Sequence, residues 1–298
     1  MVLKKICLLL SHEKWLKESE KLIERLAACG ISCEIKVIEG KEWLEAEEET
    51  DMAERECLYL SDKTVATETL YLTDSVEAVR RLCSVGLPVL AYLHEENRGE
   101  DFSPAKYACE EAGELEPEYL ERVYRRYKGI PWNILETKRC LLRESVEEDA
   151  EAFLKIYTEP SVTKYMESLQ ESRVGERTYI REYIENMYGY YEFGIWTVIL
   201  KETGEIIGRA GLSLREGSEL PELGYVIGVP WQRQGLAEEI CRGILEYATE
   251  ELGFDEVQVC IQRGNTASVR LAEKLGFEKQ EKIDNCCGNY MFFVRSKQ

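Results

Sequence analysis

Residues 222–237 read ELGYVIGVPWQRQGLA, and this stretch decides the fold of the half of the chain that contains it. Its apolar first part predicts a strand that ends at Pro230. A polar turn follows, and Gly235 begins a predicted helix that presents Leu236 and Ile240 on one face. The stretch therefore predicts a strand, a tight turn and an amphipathic helix in direct succession.

The turn before this helix is suited to bind an anion. The first N–H groups of a helix have no acceptor within the helix, and they lie at the positive end of its dipole. Gly235 lets a ligand approach the backbone closely, and Ala237 keeps a neighbouring position small. Gln232 and Arg233 can add side-chain contacts. These features predict a pyrophosphate-binding site.

A second strand-to-helix junction lies downstream at Asn265. The sequence from Asn265 to Ser268 follows a predicted strand over residues 257–261, and the next helix ends at Gly276. The Asn265 amide can either contact a ligand or cap the helix, and the sequence leaves both interpretations open.

Together these motifs resemble those of the GNAT acetyltransferase family, in particular its ribosomal-protein N-terminal and spermidine acetyltransferases. The phosphate loop of that family, Gln/Arg-x-x-Gly-x-Gly/Ala, matches residues 232–237. Its second motif matches Asn265, Ser268 and the sequence Leu275-Gly276-Phe277. The opening of the family's domain matches Leu141, Leu142, Arg143, Tyr165 and Trp196, so the resemblance extends over residues 138–296.

The resemblance implies a GNAT α/β fold with a mixed, splayed sheet, and acetyl-CoA as cosubstrate without a metal. Pantetheine would pair with backbone around residues 227–229, and the pyrophosphate would contact the amides of residues 233–238. The implied acetyl-CoA contacts are Ile227, Gly228, Val229, Gln232, Arg233, Gln234, Gly235, Leu236, Ala237, Glu238, Asn265 and Ser268. Tyr165 and Trp196 are implied on the acceptor side, and core positions are the alternative for both.

The implied chemistry is direct attack of an amine on the thioester. An alkyl amine has a pKa near 10, so a base has to remove a proton. Glu222 lies where several family members carry that base, and a plain surface position is its alternative. A backbone N–H near Ile227 or Gly228 would stabilise the oxyanion. In many family members a tyrosine protonates the leaving thiolate, and Ala272 stands at its position here. The proton can come from Ser268, another tyrosine or solvent, or the thiolate can leave without a proton.

The N-terminal part alternates strand and helix patterns, which predicts a small doubly wound, Rossmann-like parallel sheet in an α/β domain over residues 1–128. Residues 129–137 are the predicted linker, and residues 138–298 the acetyltransferase domain. Residues 70–92 are similar to half of a haloacid-dehalogenase-type sheet, but the Asp-x-Asp-x-Thr signature is absent. We therefore expect a non-catalytic module rather than an active phosphatase. Ligand binding, shaping of the acceptor site and dimerisation are its open roles.

Composition limits the possible partners. The chain of 298 residues has a net charge of -19 and is 44% hydrophobic. We expect a globular cytoplasmic protein that does not bind nucleic acid or membranes. Neither histidine lies at zinc-ligand spacing from a cysteine pair, so we expect no metal and reduced thiols. The expected partner is an amine acceptor, either a small molecule or a protein N-terminus, and a homodimer is possible. A catalytically weak acetyl-CoA sensor is the alternative function.

Overall fold

The computed structural model describes residues 1–37, 68–165, 172–215, 217–280 and 289–297. The chain divides into two compact units, residues 1–130 and residues 131–298. Among the described residues, no helix has the length and apolar content that a membrane span requires.

The first unit alternates strands and helices. Its described strands are β1 (Lys5–Leu10), β2 (Ser32–Val37), β3 (Thr69–Thr73), β4 (Val89–Tyr92) and β5 (Tyr107–Cys109). Its described helices are α1 (Glu13–Glu18), α2 (Glu20–Ala28), α3 (Val76–Ser84) and α4 (Pro117–Tyr127), with a 3₁₀ turn at Ala112–Glu114.

The strands of the first unit form a 5-stranded sheet in the order β2-β1-β3-β4-β5. Every neighbouring pair is parallel. Helices α2 and α4 contribute Leu22 and Leu120 to the core on one face. Helix α3 contributes Val79 to the core on the other face. Helices on both faces of a parallel sheet confirm the predicted doubly wound fold. The predicted resemblance to a haloacid-dehalogenase-type sheet has no further support.

A buried polar network joins three strand ends of this sheet. Asp74, after β3, accepts hydrogen bonds from the Ser11 N–H at 2.8 Å and the Ser11 hydroxyl at 2.5 Å. Its carboxylate also lies 3.3 Å from Nε2 of His94, which follows β4. Since these groups satisfy one another, the network holds the carboxyl ends of β1, β3 and β4 together.

The second unit has a longer set of elements. Its described strands are β6 (Asn133–Glu136), β7 (Cys140–Arg143), β8 (Ile195–Leu200), β9 (Ile206–Leu214), β10 (Pro221–Ile227), β11 (Glu256–Gln262), β12 (Glu278–Gln280) and β13 (Tyr290–Ser296). Its described helices are α5 (Ala150–Tyr157), α6 (Pro160–Thr163), α7 (Arg173–Tyr183), α8 (Gly189–Tyr191), α9 (Leu236–Glu250) and α10 (Thr266–Lys274). A π-helical segment spans Ile184–Tyr188, and 3₁₀ turns span Glu147–Asp149 and Val229–Trp231.

These strands form an 8-stranded sheet in the order β12-β13-β11-β10-β9-β8-β7-β6. Strand β10 pairs along its whole length with β9, and β11 pairs along its whole length with β13. Between β10 and β11, which are parallel, the described pairing is limited to Glu222 and Gln258. The two strands therefore part beyond Glu222, before residues 227–229, where pantetheine is expected to pair. The mixed, splayed sheet is confirmed.

The predicted linker over residues 129–137 is too long. Residues 133–136 form β6, which pairs with β7 at the edge of the second sheet. Ile134 and Leu135 pack against the core of the second unit, and this burial stabilises the segment as a strand. The glycine and proline at residues 129–131 correctly indicate a break, but the break ends sooner than the composition predicts.

Helix α9 is held against the sheet by its apolar face. Leu236, Ile240, Ile244 and Ala248 are at most 2% exposed and lie in one core with residues of β8 to β11. Full burial of each leucine or isoleucine side chain contributes about 1.5–3 kcal/mol. This packing fixes the first turn of α9 at the open end of the gap between β10 and β11.

Candidate active site

The loop from β10 to α9 points a run of backbone N–H groups in one direction. Arg233 and Gly235 both adopt left-handed backbone conformations, with φ of 60° and 76°. Left-handed residues next to right-handed ones turn successive N–H groups toward a common concavity. Within the described part of the chain, the N–H groups of residues 233–238 have no hydrogen-bond acceptor. Such a set of donors at a helix start fits a diphosphate.

The glutamine side chains of this loop are used within the protein. Nε2 of Gln232 donates to the Ile227 carbonyl at 2.8 Å, and Nε2 of Gln234 donates to the Pro230 carbonyl at 3.0 Å. One N–H of the Gln232 amide thus holds the turn, and the contact of its side chain with phosphate stays a prediction. Arg233 is exposed in the same loop, and its contact with phosphate stays a prediction.

Arg139 lies beside this loop, and the sequence analysis missed it. Its Nη1 donates to the Gln234 carbonyl at 2.9 Å, and its Nε donates to Glu239 at 2.7 Å. A Cβ atom on Gly235 would lie 3.6 Å from its Nη2. The guanidinium group therefore adds a positive charge at the edge of the N–H concavity, with Nη2 nearest to Gly235.

Glu239 in the first turn of α9 fixes the position of Arg139. Its carboxylate also accepts from the Thr137 hydroxyl and the Arg139 backbone N–H, each at 2.7 Å. Burial alone would raise the pKa of Glu239, but these hydrogen bonds and the arginine charge lower it overall. Glu239 thus stays ionised and joins the turn before β7 to the start of α9.

The remaining loop residues contribute in different ways. The side chain of Leu236 is buried in the core, so only its backbone N–H faces the loop. Ala237 is half-buried. Glu238 forms ion pairs with Arg242 and Lys274, and its backbone N–H belongs to the run of donors.

The edge of β10 that faces the gap presents the backbone N–H of Ile227. The Gly228 N–H donates to the Ile207 carbonyl on β9 at 2.8 Å. Hydrogen-bonding direction alternates along an antiparallel strand, so the N–H of Ile227 points to the opposite side, toward β11. Of the two predicted oxyanion donors, Gly228 is thus engaged with β9, and Ile227 faces the gap. Val229 is 40% exposed at the open end.

The two faces of β10 have different neighbours. Leu223 and Ile227 lie in the core with α9. Val226 instead packs with Ile156 of α5 and Val162 of α6. Since side chains alternate along a strand, Glu222, Gly224 and Val226 share the face covered by α5 and α6. We call this face, with Glu222, Gly224 and Val226, the acceptor face.

Glu222 is a mostly buried carboxylate on this face. Its side chain is 18% exposed, and Oε2 lies 3.2 Å from Nη1 of Arg215. Burial raises the pKa of Glu222, and the hydrogen bond and charge of Arg215 offset part of that rise. A carboxylate with a raised pKa is better matched to accept a proton near neutral pH than an exposed one.

Ser268 and Tyr225 meet on the other face of the gap. The Tyr225 hydroxyl donates to Oγ of Ser268 at 3.1 Å. Burial raises the pKa of Tyr225 to about 12, so the phenol keeps its proton at neutral pH. Oδ1 of Asn265 accepts from the Ser268 N–H at 3.2 Å and caps α10. The capping interpretation of Asn265 is therefore the one that the geometry matches. Ala272 is buried in the core.

The two predicted acceptor residues lie in different environments. The ring of Tyr165 lies beside Gly264, where a Cβ would be 3.7 Å from Cε1, at the carboxyl end of β11. Trp196 is fully buried in the core and packs edge-on against Tyr247 of α9, with ring centroids 5.6 Å apart. The predicted acceptor contact of Trp196 is wrong, because α9 covers its ring.

No group of three or more potential metal ligands occurs among the residues that the structure describes. Arg139 and Arg233 lie at the loop, and guanidinium groups suit phosphate rather than a cation, while Glu238 and Glu239 beside them are ion-paired or hydrogen-bonded within the protein.

Comparisons with known proteins agree with this arrangement. A family model described as an acetyltransferase (GNAT) domain matches residues 139–278. The uncharacterized N-acetyltransferase YoaA of Bacillus subtilis is 32% identical over 154 residues, which cover 49% of this chain and 84% of that protein. The uncharacterized N-acetyltransferase p20 of Bacillus licheniformis is 27% identical, with 49% of this chain and 83% of that protein covered.

A solved structure shares similarity over the same half of the chain. It is described as a putative ribosomal-protein-serine acetyltransferase from Vibrio cholerae, is 19% identical and has a TM-score of 0.47. The match covers 56% of this chain and 98% of that one.

A parted sheet, a loop of unpaired N–H groups and the sequence relatives define an acyl-transferring enzyme, an acetyltransferase. The chain belongs to the GNAT acetyltransferase family. Acetyltransferases of this family use acetyl-CoA as the acetyl donor.

Proposed function

We propose that the second unit transfers the acetyl group of acetyl-CoA directly to an amine, which is either a small molecule or a protein N-terminus. One observation carries the proposal: the unpaired N–H groups of residues 233–238 lie at the open end of the gap between β10 and β11. A diphosphate on these groups places the pantetheine arm along the free edge of β10.

In this proposal the pantetheine amides pair with the backbone at residues 227–229 as an added strand would. Arg139 and Arg233 contribute positive charge next to the phosphates. The amide nitrogen of Asn265 can donate to the cosubstrate, since its oxygen is already used in the cap. The thioester then lies between the acceptor face, which carries Glu222, and the face that carries Ser268.

The chain's residues would divide the proton transfers between the two faces. Glu222 accepts a proton from the incoming ammonium, directly or through a water, so that the neutral amine attacks the thioester carbon. The Ile227 N–H stabilises the negative oxygen of the intermediate. A C–N bond forms and the C–S bond breaks. The nitrogen loses its second proton to solvent, and Ser268 gives its hydroxyl proton to the leaving thiolate. Solvent returns a proton to Ser268, whose oxygen Tyr225 holds in place by its hydrogen bond.

Calorimetry on the full chain tests the proposal. CoA should bind to the wild type, and Gly235→Glu should abolish binding, because a charged side chain would enter the phosphate concavity at a left-handed position. Thr203→Glu, in the exposed turn between β8 and β9, is the matched control and should bind normally. Absence of CoA binding to the folded wild type, or unchanged acetyl transfer by Gly235→Glu, would contradict the proposal.

A catalytically weak sensor of acetyl-CoA is the second candidate, and Ala272 at the family's usual acid position favours it. Release of free CoA with α-amines, lysine peptides, polyamines and aminoglycosides separates the two. Turnover with any acceptor supports the enzyme, whereas binding without turnover across the set supports the sensor.

A further inference from the structure

A basic side chain lies next to the proposed base on the acceptor face. Nη1 of Arg215, just beyond β9, is 3.2 Å from Oε2 of Glu222. Its guanidinium carbon is 5.7 Å from the ring centroid of Tyr290 and 5.6 Å from that of Phe292. Both aromatic residues belong to β13. The arginine therefore extends over β10 and β11 and places a positive charge beside the carboxylate.

The position next to Glu222 along this face has no side chain. Gly224 of β10 pairs with Gly211 of β9. A Cβ on Gly224 would meet one described side-chain atom within 4 Å, Cδ1 of Ile195 at 3.4 Å. Gly224 thus leaves room on the acceptor face between Glu222 and Val226, whereas the backbone of Gly194 closely covers Gly211. A small acceptor fits in that space better than a long chain.

The two charges have the spacing of a particular kind of amine. In an α-amino acid the nitrogen and the nearer carboxylate oxygen are about 3 Å apart, given standard bond lengths. Glu222 and Arg215 present a negative and a positive group 3.2 Å apart. An ammonium facing Glu222 and a carboxylate facing Arg215 would form an array of alternating charges. Arginine binds carboxylates through two parallel N–H donors.

We propose that the acceptor is a free α-amino acid, held by Glu222 at its ammonium and by Arg215 at its carboxylate. This inference rests on the proposed function and narrows its substrate class. A peptide N-terminus has a neutral carbonyl where a free amino acid has a carboxylate, so it gains less from the charge of Arg215. A polyamine carries additional positive charges, which Arg215 repels. Tyr290 and Phe292 then line the side of Arg215 toward β13, where the amino acid's own side chain can pack.

The test compares each amino acid with its own derivatives. The full chain with acetyl-CoA is assayed with a panel of L-amino acids, their amides, their methyl esters and dipeptides that begin with the same residue. We expect kcat/KM for the best amino acid to exceed that for its amide by about tenfold, because solvent screens part of the charge of Arg215, whose side chain is 35% exposed. The ester and the dipeptide should behave like the amide.

Variants of Arg215 provide the second measurement. Arg215→Gln should lower the ratio of acid to amide to near one, and Arg215→Lys should retain part of it. Arg270→Gln, an exposed arginine on α10, is the matched control and should leave the ratio unchanged. If Arg215→Gln does not fold, the wild-type ratio alone decides.

Equal or higher kcat/KM with amides, or acetylation restricted to peptides or polyamines, would overturn this inference while leaving acetyl transfer intact. Absence of CoA binding would instead refute the proposed function. The two failures are therefore distinguishable.

Discussion

The phenol of Tyr225 on β10 donates a hydrogen bond to the hydroxyl of Ser268 on α10, over 3.1 Å. The serine proton is consequently left to be donated elsewhere, and the gap between β10 and β11 is adjacent. Because burial raises the pKa of Tyr225 to about 12, the phenol does not lose its proton in the neutral range. The pair can thus act where the family's usual tyrosine is replaced by Ala272.

Ser268→Ala should lower kcat by about 10²-fold or more, the lower end for general acid catalysis, with little change in KM for acetyl-CoA. Tyr225→Phe should cause a smaller loss, because it removes only the hydrogen bond that orients the Ser268 hydroxyl. Thr266→Ala, exposed on the same helix, is the control. If Ser268→Ala keeps full activity, Ser268 does not protonate the thiolate, and this prediction is wrong.

The pH profile of kcat should depend on Glu222. The residue must be ionised to accept a proton, and its pKa is raised by burial, so kcat should fall with decreasing pH at a higher value than for an exposed glutamate. Arg215 opposes that rise, so Arg215→Gln should move the acidic limb to still higher pH. These pH profiles are measured with an amino-acid amide as the acceptor, because an amide has no carboxylate for Arg215 to bind. Glu222→Gln should remove the limb and most of the rate, and an unchanged limb would contradict the role of Glu222.

Arg139→Gln should raise KM for acetyl-CoA by about tenfold and weaken its dependence on salt, with kcat nearly unchanged. The effect is limited because the Arg139 side chain is 41% exposed, where solvent screens its charge. Turnover with S-acetylpantetheine, which lacks the nucleotide phosphates, should not change. Arg242→Gln, on the exposed side of α9, is the matched control. An equal loss with both thioesters would assign Arg139 a purely structural role.

Glu121 should stabilise the first unit. It is 1% exposed and accepts hydrogen bonds from the Val2 N–H, the Leu3 N–H and Nε of Arg125, each at 2.7 Å. Burial alone would raise the pKa of Glu121, but these hydrogen bonds outweigh burial and lower it. Glu121→Gln should therefore destabilise the unit by about 1.5–3 kcal/mol at neutral pH, as measured by urea unfolding.

The sign of the pH effect follows from the lowered pKa of Glu121. Its contribution is fully present above the ordinary glutamate pKa of about 4.3 and is lost as pH falls through the lower folded-state value. The difference between wild type and Glu121→Gln should shrink accordingly in acid. Glu118→Gln, exposed on the same helix, should be neutral at every pH. A constant difference down to pH 2 would argue against an ionised Glu121.

Local patterns in the sequence predicted most of the elements. The apolar run before Pro230, the helix with Leu236 on its buried face and the alternation in the first unit each depend on neighbouring residues. The 3₁₀ turn at residues 229–231 shortens the predicted strand to Ile227, because Pro230 follows it. Such boundaries depend on one or two hydrogen bonds and are not visible in residue periodicity.

The sequence could not predict contacts between distant segments. Arg139 reaches the loop at Gly235 through Glu239, about a hundred positions away in the chain, and no local motif marks that pairing. Trp196 has the same sequence context whether its ring faces an acceptor or α9, and only the packing of α9 decides. The strand β6 likewise depends on β7 and the core beneath Leu135. The site residues therefore stay predictions, whereas the fold is confirmed.

The larger sheet is weakest between β10 and β11, because the described backbone pairing there is limited to Glu222 and Gln258. Beyond this pair, the described links include the Gln258 amide, which donates to the Ser218 hydroxyl at 2.8 Å and the Leu220 carbonyl at 3.1 Å, and the Tyr225 hydroxyl, which donates to Ser268. In hydrogen exchange, β11 and β13 should therefore open as a cooperative unit separate from β8 and β9 when the protein is alone. A cosubstrate bound between β10 and β11 would bring both pairs of strands to similar protection from hydrogen exchange. The sheet would therefore open as one unit only while the cosubstrate needed for catalysis is bound.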